Sequence, residues 1–107
     1  MSLIQGQLVR LISEFLSSAI LASPQTYVNQ SVRLTGEYRG WEGGHGWPPV
    51  TKSDWVLTDP TGAIYVTGDS LGMVYPIDLG KTVTVQGIVR INDGQTYIEI
   101  PRSPIRR

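Results

Sequence analysis

The sequence predicts a mainly β chain: a small five-stranded Greek-key barrel with one added N-terminal α-helix. Three observations carry this. First, Val32-Arg33-Leu34-Thr35-Gly36-Glu37-Tyr38 and Val83-Thr84-Val85-Gln86-Gly87-Ile88-Val89 both alternate apolar and polar residues around a central glycine. Alternation marks a half-buried strand. A glycine inside a strand marks a bulge or a sharp bend, and two long bent strands suggest a sheet curled shut. Second, the turn signals Asp59-Pro60-Thr61-Gly62 and Asn92-Asp93-Gly94 each precede another short alternating run. Third, the 12 glycines and 7 prolines lie largely at turn positions, as a strand-and-turn protein needs.

The elements follow in order. Leu8, Leu11, Ile12, Phe15, Leu16, Ala19 and Ile20 recur at the three-and-four spacing of one helix face, with Arg10, Ser13, Glu14, Ser17 and Ser18 opposite. This predicts a helix over residues 3–22, opened by Ser2 and stopped by Ser23-Pro24. Its apolar stripe either caps a barrel mouth or docks on another chain. Residues 24–30 read as a connection. Strand one is expected over 31–42, followed by an exposed loop through Gly43-Gly44-His45-Gly46-Trp47-Pro48-Pro49. Strands two and three are expected over 54–58 and 63–67. The turn between them uses Pro60 to preset its angle and Gly62 to accept a positive one. Gly72 and Pro76 interrupt residues 68–80, which leaves room for one helical turn near 69–73 and a loop. Strand four is expected over 81–91 and strand five over 96–100, with Pro101 and Pro104 ending the pairing.

The totals bound the class. The 107 residues make one domain, 1–107, with the barrel over 31–101. Such a chain buries roughly 65% of its unfolded surface, enough for a core without staples. Hydrophobic residues at 40% and charged residues at 17% describe a globular chain rather than a disordered one. Nine basic and nine acidic residues cancel, so the basic surplus of a dedicated phosphate-backbone binder is missing overall. A local basic run remains at Arg102, Arg106 and Arg107, and a solvated surface accounts for it. With no cysteine there is no disulfide, thiolate metal site or cysteine nucleophile. Arg10 and Glu14 break the early apolar stretch, which suits neither a signal peptide nor a membrane span, so the expected compartment is cytoplasmic, with no direct membrane insertion. The Met-Ser-Leu opening is compatible with an expression remnant on an excerpt of a longer protein.

The runs Val32-x-Leu34-x-Gly36-x-Tyr38, Val56-Leu57-x-Asp59-x-Thr61-Gly62-x-Ile64-x-Val66 and Gly80-x-x-Val83-x-Val85-x-Gly87-x-Val89 resemble the pattern of OB-fold nucleic-acid-binding domains of the anticodon-binding type. The match covers about residues 32–100 and falls on core and turn positions. It implies a ligand lying across strands two and three, flanked by the loop after strand one and the loop between strands four and five. The chain departs from the pattern in its broken segment between strands three and four, its added helix and its neutral charge. A second resemblance, of Trp55 to Gly68, is to barrel-like accessory regions of membrane-anchored zinc metallopeptidases of the heat-shock type. The H-E-x-x-H signature of that chemistry is absent, so nothing catalytic transfers.

The first flanking loop carries the most chemistry. Trp41, Trp47 and Trp55 lie in or beside it, with Tyr38 and Arg39 leading in and Lys52 leading out. Bases stack on such rings for about 1–3 kcal/mol each while Arg and Lys follow the backbone; a sugar ring or a proline-rich peptide suits the same ledge. Equally, the indoles fold back to seal the barrel mouth, Trp55 being the strongest candidate for burial. Tyr65, Thr67, Arg90, Tyr97 and Glu99 form an outward strip that cross-strand pairing also explains. His45 lacks nearby ligands for a metal site, the glycine run lacks the lysine of a phosphate-cradling loop, and Ser53, Asp54 and His45 are held in no fixed geometry, so neither cofactor nor catalytic group is expected. Asp59 reads as a cap on its turn amides. The expectation is a non-enzymatic module for single-stranded nucleic acid using Arg39, Trp41, Trp47, Lys52, Tyr65 and Arg90. The alternative is an accessory protein-interaction domain contacting a partner or a second copy through the helix or the tryptophan loop.

Overall fold

The computed structural model describes residues 16–101. Most of the expected helix, and the basic run at Arg102, Arg106 and Arg107, therefore lie outside the described residues; within them the expected continuous helix is corrected at Leu16, which is extended and exposed, the helix starting at Ser17. Within them are α1 (Ser17–Ala22), α2 (Pro24–Tyr27), β1 (Ser31–Tyr38), β2 (Trp55–Asp59), β3 (Gly62–Gly68), β4 (Thr82–Asn92) and β5 (Gln95–Ile100). The strands close into a barrel in the order β1-β2-β3-β5-β4 and back to β1. Every pairing is antiparallel except β3 with β5. The result is an OB-like five-stranded barrel, as the strand grammar predicts.

The two glycines explain how so small a sheet closes. Gly36 lies opposite Val83, and Gly87 opposite Val32, so the bent strands sit side by side. Each changes partner just past its glycine: β1 passes from β4 to β2 at Glu37, and β4 from β1 to β5 at Ile88. A Cβ on Gly36 would run into the carbonyl of Thr58. A Cβ on Gly87 would stand 2.5 Å from the Glu99 carbonyl oxygen and 2.7 Å from Ile98 Cγ2. The missing side chains thus admit the neighbouring strand across each bend.

Alternate residues fill the interior. Val32, Leu34, Leu57, Ile64, Val66, Val85, Val89 and Ile98 form one buried cluster. Trp55 joins it, packed at a tilt 5.4 Å from the Tyr38 ring, its indole N–H donating to the Asp69 carbonyl over 3.2 Å. Of the three indoles this is the one that seals the barrel.

The barrel ends are closed by different segments. At the β2–β3 turn, Ile20 of α1 is fully buried in the core cluster. Asp59 holds α1 there: it accepts the Ser17 N–H at 2.7 Å and the Ser17 hydroxyl at 2.9 Å while also capping the amides of Thr61 and Gly62. Burial alone would push the Asp59 carboxyl up, but the bonds from Thr61 and Ser17 outweigh it and hold it below its ordinary value of 3.8. The other mouth takes residues 69–80, whose Leu71, Met73 and Tyr75 pack on the core.

Three local expectations are corrected. Residues 24–27 are a helical turn rather than plain connection, because proline at the first helical position loses no hydrogen bond. β1 stops at Tyr38 instead of residue 42, because Gly40 takes φ +58° and Glu42 N–H turns back to the Arg39 carbonyl. Gly62 is not in the left-handed region; Asp59 pairs with it directly across a two-residue Pro60-Thr61 turn. Residues 69–80 form turns, within the expected limit of one helical turn at most. Asp93 and Gly94 both take positive φ, the tight hairpin that Asn92-Asp93-Gly94 predicts. Among the described residues no helix is long and apolar enough to cross a membrane.

Candidate functional site

The outer face of β2, β3 and β5 is where the barrel architecture leads one to seek a ligand. Register places Arg90, Tyr97, Tyr65 and Val56 in one row across β4, β5, β3 and β2. Tyr65 does point outward, but it is only 7% exposed, because Val56, Tyr65 and Tyr97 form a second apolar cluster outside the barrel. The β1–β2 loop lies against it. Gln95 Nε2 donates to the His45 carbonyl at 3.0 Å, Asn92 Nδ2 to the Pro49 carbonyl at 2.6 Å, and the Tyr65 hydroxyl reaches within 3.5 Å of the Gly46 carbonyl. A Cβ on Gly44 would strike the Tyr65 ring. The expected open strip of Tyr65, Thr67 and Tyr97 is therefore a covered one.

Asp54 holds the far side of this loop. Its buried carboxylate accepts from Val50 N–H at 2.6 Å, Thr51 N–H at 3.0 Å, the Thr51 hydroxyl at 2.9 Å and the buried Thr67 hydroxyl at 2.6 Å. The loop leaves a groove of about 300 Å³ between His45, Gln95, Leu21 and Pro24, floored by Tyr65.

Two of the three cations expected to follow a phosphate backbone, Arg39 and Arg90, stand against acids. Arg90 Nε donates to Glu99 at 2.8 Å and Arg90 Nη1 to the Asn29 side chain at 2.6 Å. Arg39 lies 3.7 Å from Glu42 and 3.9 Å from Glu37. Lys52 is exposed in the loop.

The aromatic groups divide. Trp47 is 85% exposed. Trp41 is 62% exposed, and its ring meets Tyr75 at 4.6 Å with a 40° tilt. Tyr75 is gripped by three successive residues: its ring lies on the bare backbone of Gly40, where a Cβ would overlap it, Trp41 stands beside it, and Glu42 accepts its hydroxyl at 3.0 Å. That bond to Glu42, then burial, raises the Tyr75 hydroxyl above its ordinary value. The grip is anchored to the barrel, since Val56 N–H donates to the Gly40 carbonyl at 2.8 Å and Arg39 N–H to the Val56 carbonyl at 2.9 Å. Val74 and Ile77, on the same segment as Tyr75, are exposed.

The structure thus brings Arg39 and Trp41 together at one mouth, and Tyr65 and Arg90 into one covered row. Sequence reasoning missed Tyr75 and Glu42. The only available signal was the pair of breakers Gly72 and Pro76, which mark a loop without saying what it touches. No family model matches the chain, and a search of the curated proteins finds no match.

Proposed function

We propose that this chain is a non-enzymatic binding module that recognises a peptide segment of a protein through the Trp41–Tyr75 ledge. The observation that carries this is the contrast between two surfaces. The outer face of β2, β3 and β5 lies under the chain's own loop, with Arg90 bound to Glu99. The ledge is apolar, held in place by Gly40 and Glu42, and carries the Glu42 carboxylate, which would repel phosphate. Aromatic rings fixed on a barrel suit extended peptide, above all proline-rich peptide, whose preset backbone loses little entropy on docking. The test is a titration of the chain with a panel of proline-rich peptides followed by tryptophan fluorescence. A saturable change that Trp41→Ala abolishes supports the reading; silence across the panel overturns it.

A second reading, single-stranded nucleic acid, is favoured by the exposure of Trp47 beside Lys52 in one loop. There the chain would show saturable fluorescence quenching by mixed oligonucleotides, weakening steeply as salt rises.

A further inference from the structure

We propose that the groove between the starts of β3 and β5 binds a short extended stretch of uncharged peptide, which completes a sheet edge that the two strands leave open there. Neither Trp41 nor Tyr75 lines this groove, so the inference stands apart from the ledge and its reading.

The open edge follows from the pairing register. In an antiparallel pair, successive residues turn their N–H and C=O alternately toward the partner strand and away from it. Val56 N–H donates to the Gly40 carbonyl, and the Val56 carbonyl accepts from Arg39 N–H. Val56 is thus turned away from Tyr65, its register partner on β3. Two residues along the same unbroken ladder, Thr58 stands opposite Ala63. Ala63 therefore turns its N–H and its C=O away from β2, to the side where β5 lies. The β4–β5 hairpin repeats the pattern. Val89 N–H donates to the Gln30 carbonyl and the Val89 carbonyl accepts from Asn29 N–H, so Val89 is turned away from Ile98. Two residues along, Ile91 stands opposite Thr96, whose N–H points away from β4 toward β3. Yet β3 and β5 pair only from Tyr65 and Tyr97 onward. Ala63 N–H, Ala63 C=O and Thr96 N–H are edge groups with no partner among the described residues.

The groove of about 300 Å³ opens at these groups, since Ala63 and Thr96 both line it. Backbone N–H and C=O groups are obligatory hydrogen-bonding groups, and an open strand edge is a template for another chain. One residue of an added strand gives its C=O to the Ala63 N–H and its N–H to the Ala63 C=O. The C=O of the next residue, on the opposite side of that strand, reaches the Thr96 N–H. Leu21 and Pro24 supply an apolar wall for a side chain of the added strand. Charge decides the class of ligand. Among the described residues the lining holds no Asp, Glu, Lys or Arg, so a phosphate or a carboxylate meets no counter-charge, whereas a backbone amide needs only hydrogen bonds. The opposite wall is ordered before any ligand arrives, because Gln95 Nε2 holds the His45 carbonyl at 3.0 Å.

The experiment follows backbone amides of the full chain by NMR. Without ligand, the Ala63 and Thr96 amides are expected to exchange with solvent about a hundredfold faster than those of Ile64 and Tyr97, which point into the β2 and β4 ladders. The probe is the blocked tripeptide N-acetyl-alanyl-valyl-alanine amide. Its titration is expected to shift the Ala63 and Thr96 amide protons downfield and to slow their exchange. Methylating the valine nitrogen removes the N–H that Ala63 C=O accepts and is expected to weaken binding roughly tenfold. Ala63→Pro removes a donor that β2 does not use. It is expected to abolish the shift at Thr96 while the unfolding midpoint read from buried Trp55 stays close to that of the unaltered chain. If that variant unfolds, the methylated peptide decides the matter on the unaltered chain. Ala63 and Thr96 amides as protected as their neighbours would mean that the strands close the gap, which overturns the inference. A tripeptide that moves neither amide, or that its methylated form matches, overturns it too. Movement of both amides by mixed oligonucleotides instead overturns the peptide assignment. A shift confined to the Trp41 indole places the tripeptide on the ledge, which overturns this inference and leaves the ledge reading intact.

Discussion

Gly36→Ala tests the closure of the barrel through the sign of its effect. On an isolated strand, alanine is the better residue: glycine loses more backbone freedom on folding, and replacing it gains roughly 0.5–1 kcal/mol. Gly36 has no positive φ to forbid the change. In the closed barrel, however, the new Cβ meets the Thr58 carbonyl group, its carbon 2.9 Å away and its oxygen nearer still. That neighbour is backbone of β2, paired to β3 through Ala63, and cannot swing aside as a side chain would. Forcing an atom into a packed interior costs about 1–3 kcal/mol, and here it also pries at the β1–β2 seam. The expected outcome is a net destabilisation of about 2 kcal/mol, which lowers the thermal midpoint of a domain this size by roughly 10 °C. In urea the midpoint falls by about 1–2 M with an unchanged slope. Trp55, buried in the core, supplies the fluorescence signal for the transition. A midpoint that stays put or rises would mean that β2 does not cross the bend at Gly36, and the closed cylinder would fall with it.

Two further outcomes follow from the carboxylates. Asp54→Ala leaves the amides of Val50 and Thr51 and the hydroxyl of Thr67 without their acceptor. It is expected to cost about 2–4 kcal/mol and to speed hydrogen exchange at the Val50 and Thr51 amides; unchanged exchange there would show that Asp54 does not hold the loop. The lowered Asp59 carboxyl contributes stability that is complete above its ordinary value of 3.8 and is lost as the pH falls below that through the lower folded-state value. Urea midpoints measured from pH 6 to pH 3 should therefore decline for the unaltered chain and decline less for Asp59→Asn; parallel declines would remove Asp59 from the account.

Much of the barrel was legible in local signals. The long strands announce themselves by alternation, each hairpin by turn chemistry confined to four residues, and Gly36 and Gly87 by their position inside otherwise regular runs. Trp55, because it opens a strand, was the strongest candidate for burial among the three indoles, but its burial was decided only by the structure. Asp59 was readable as a turn cap because its partners Thr61 and Gly62 lie within three residues. Its second task, holding Ser17 42 residues away, was not.

The site was read less well for the same reason. Strand periodicity places Tyr65 and Tyr97 on the outward side correctly, yet outward equals exposed only when nothing lies above. The chain's own loop does lie there, tied down by Gln95 and Asn92 from another hairpin. The acids that meet Arg39 and Arg90 could not be assigned from composition, which counts charges without pairing them. Tyr75, in a segment without periodicity, became part of a surface only when folding brought it against Gly40 and Trp41. Alternation, bends and tight turns are properties of neighbouring residues, so the sequence by itself determined the strands and the barrel they close. Which outward side chains meet solvent depends on contacts between segments far apart in the chain, and those only the tertiary structure decided.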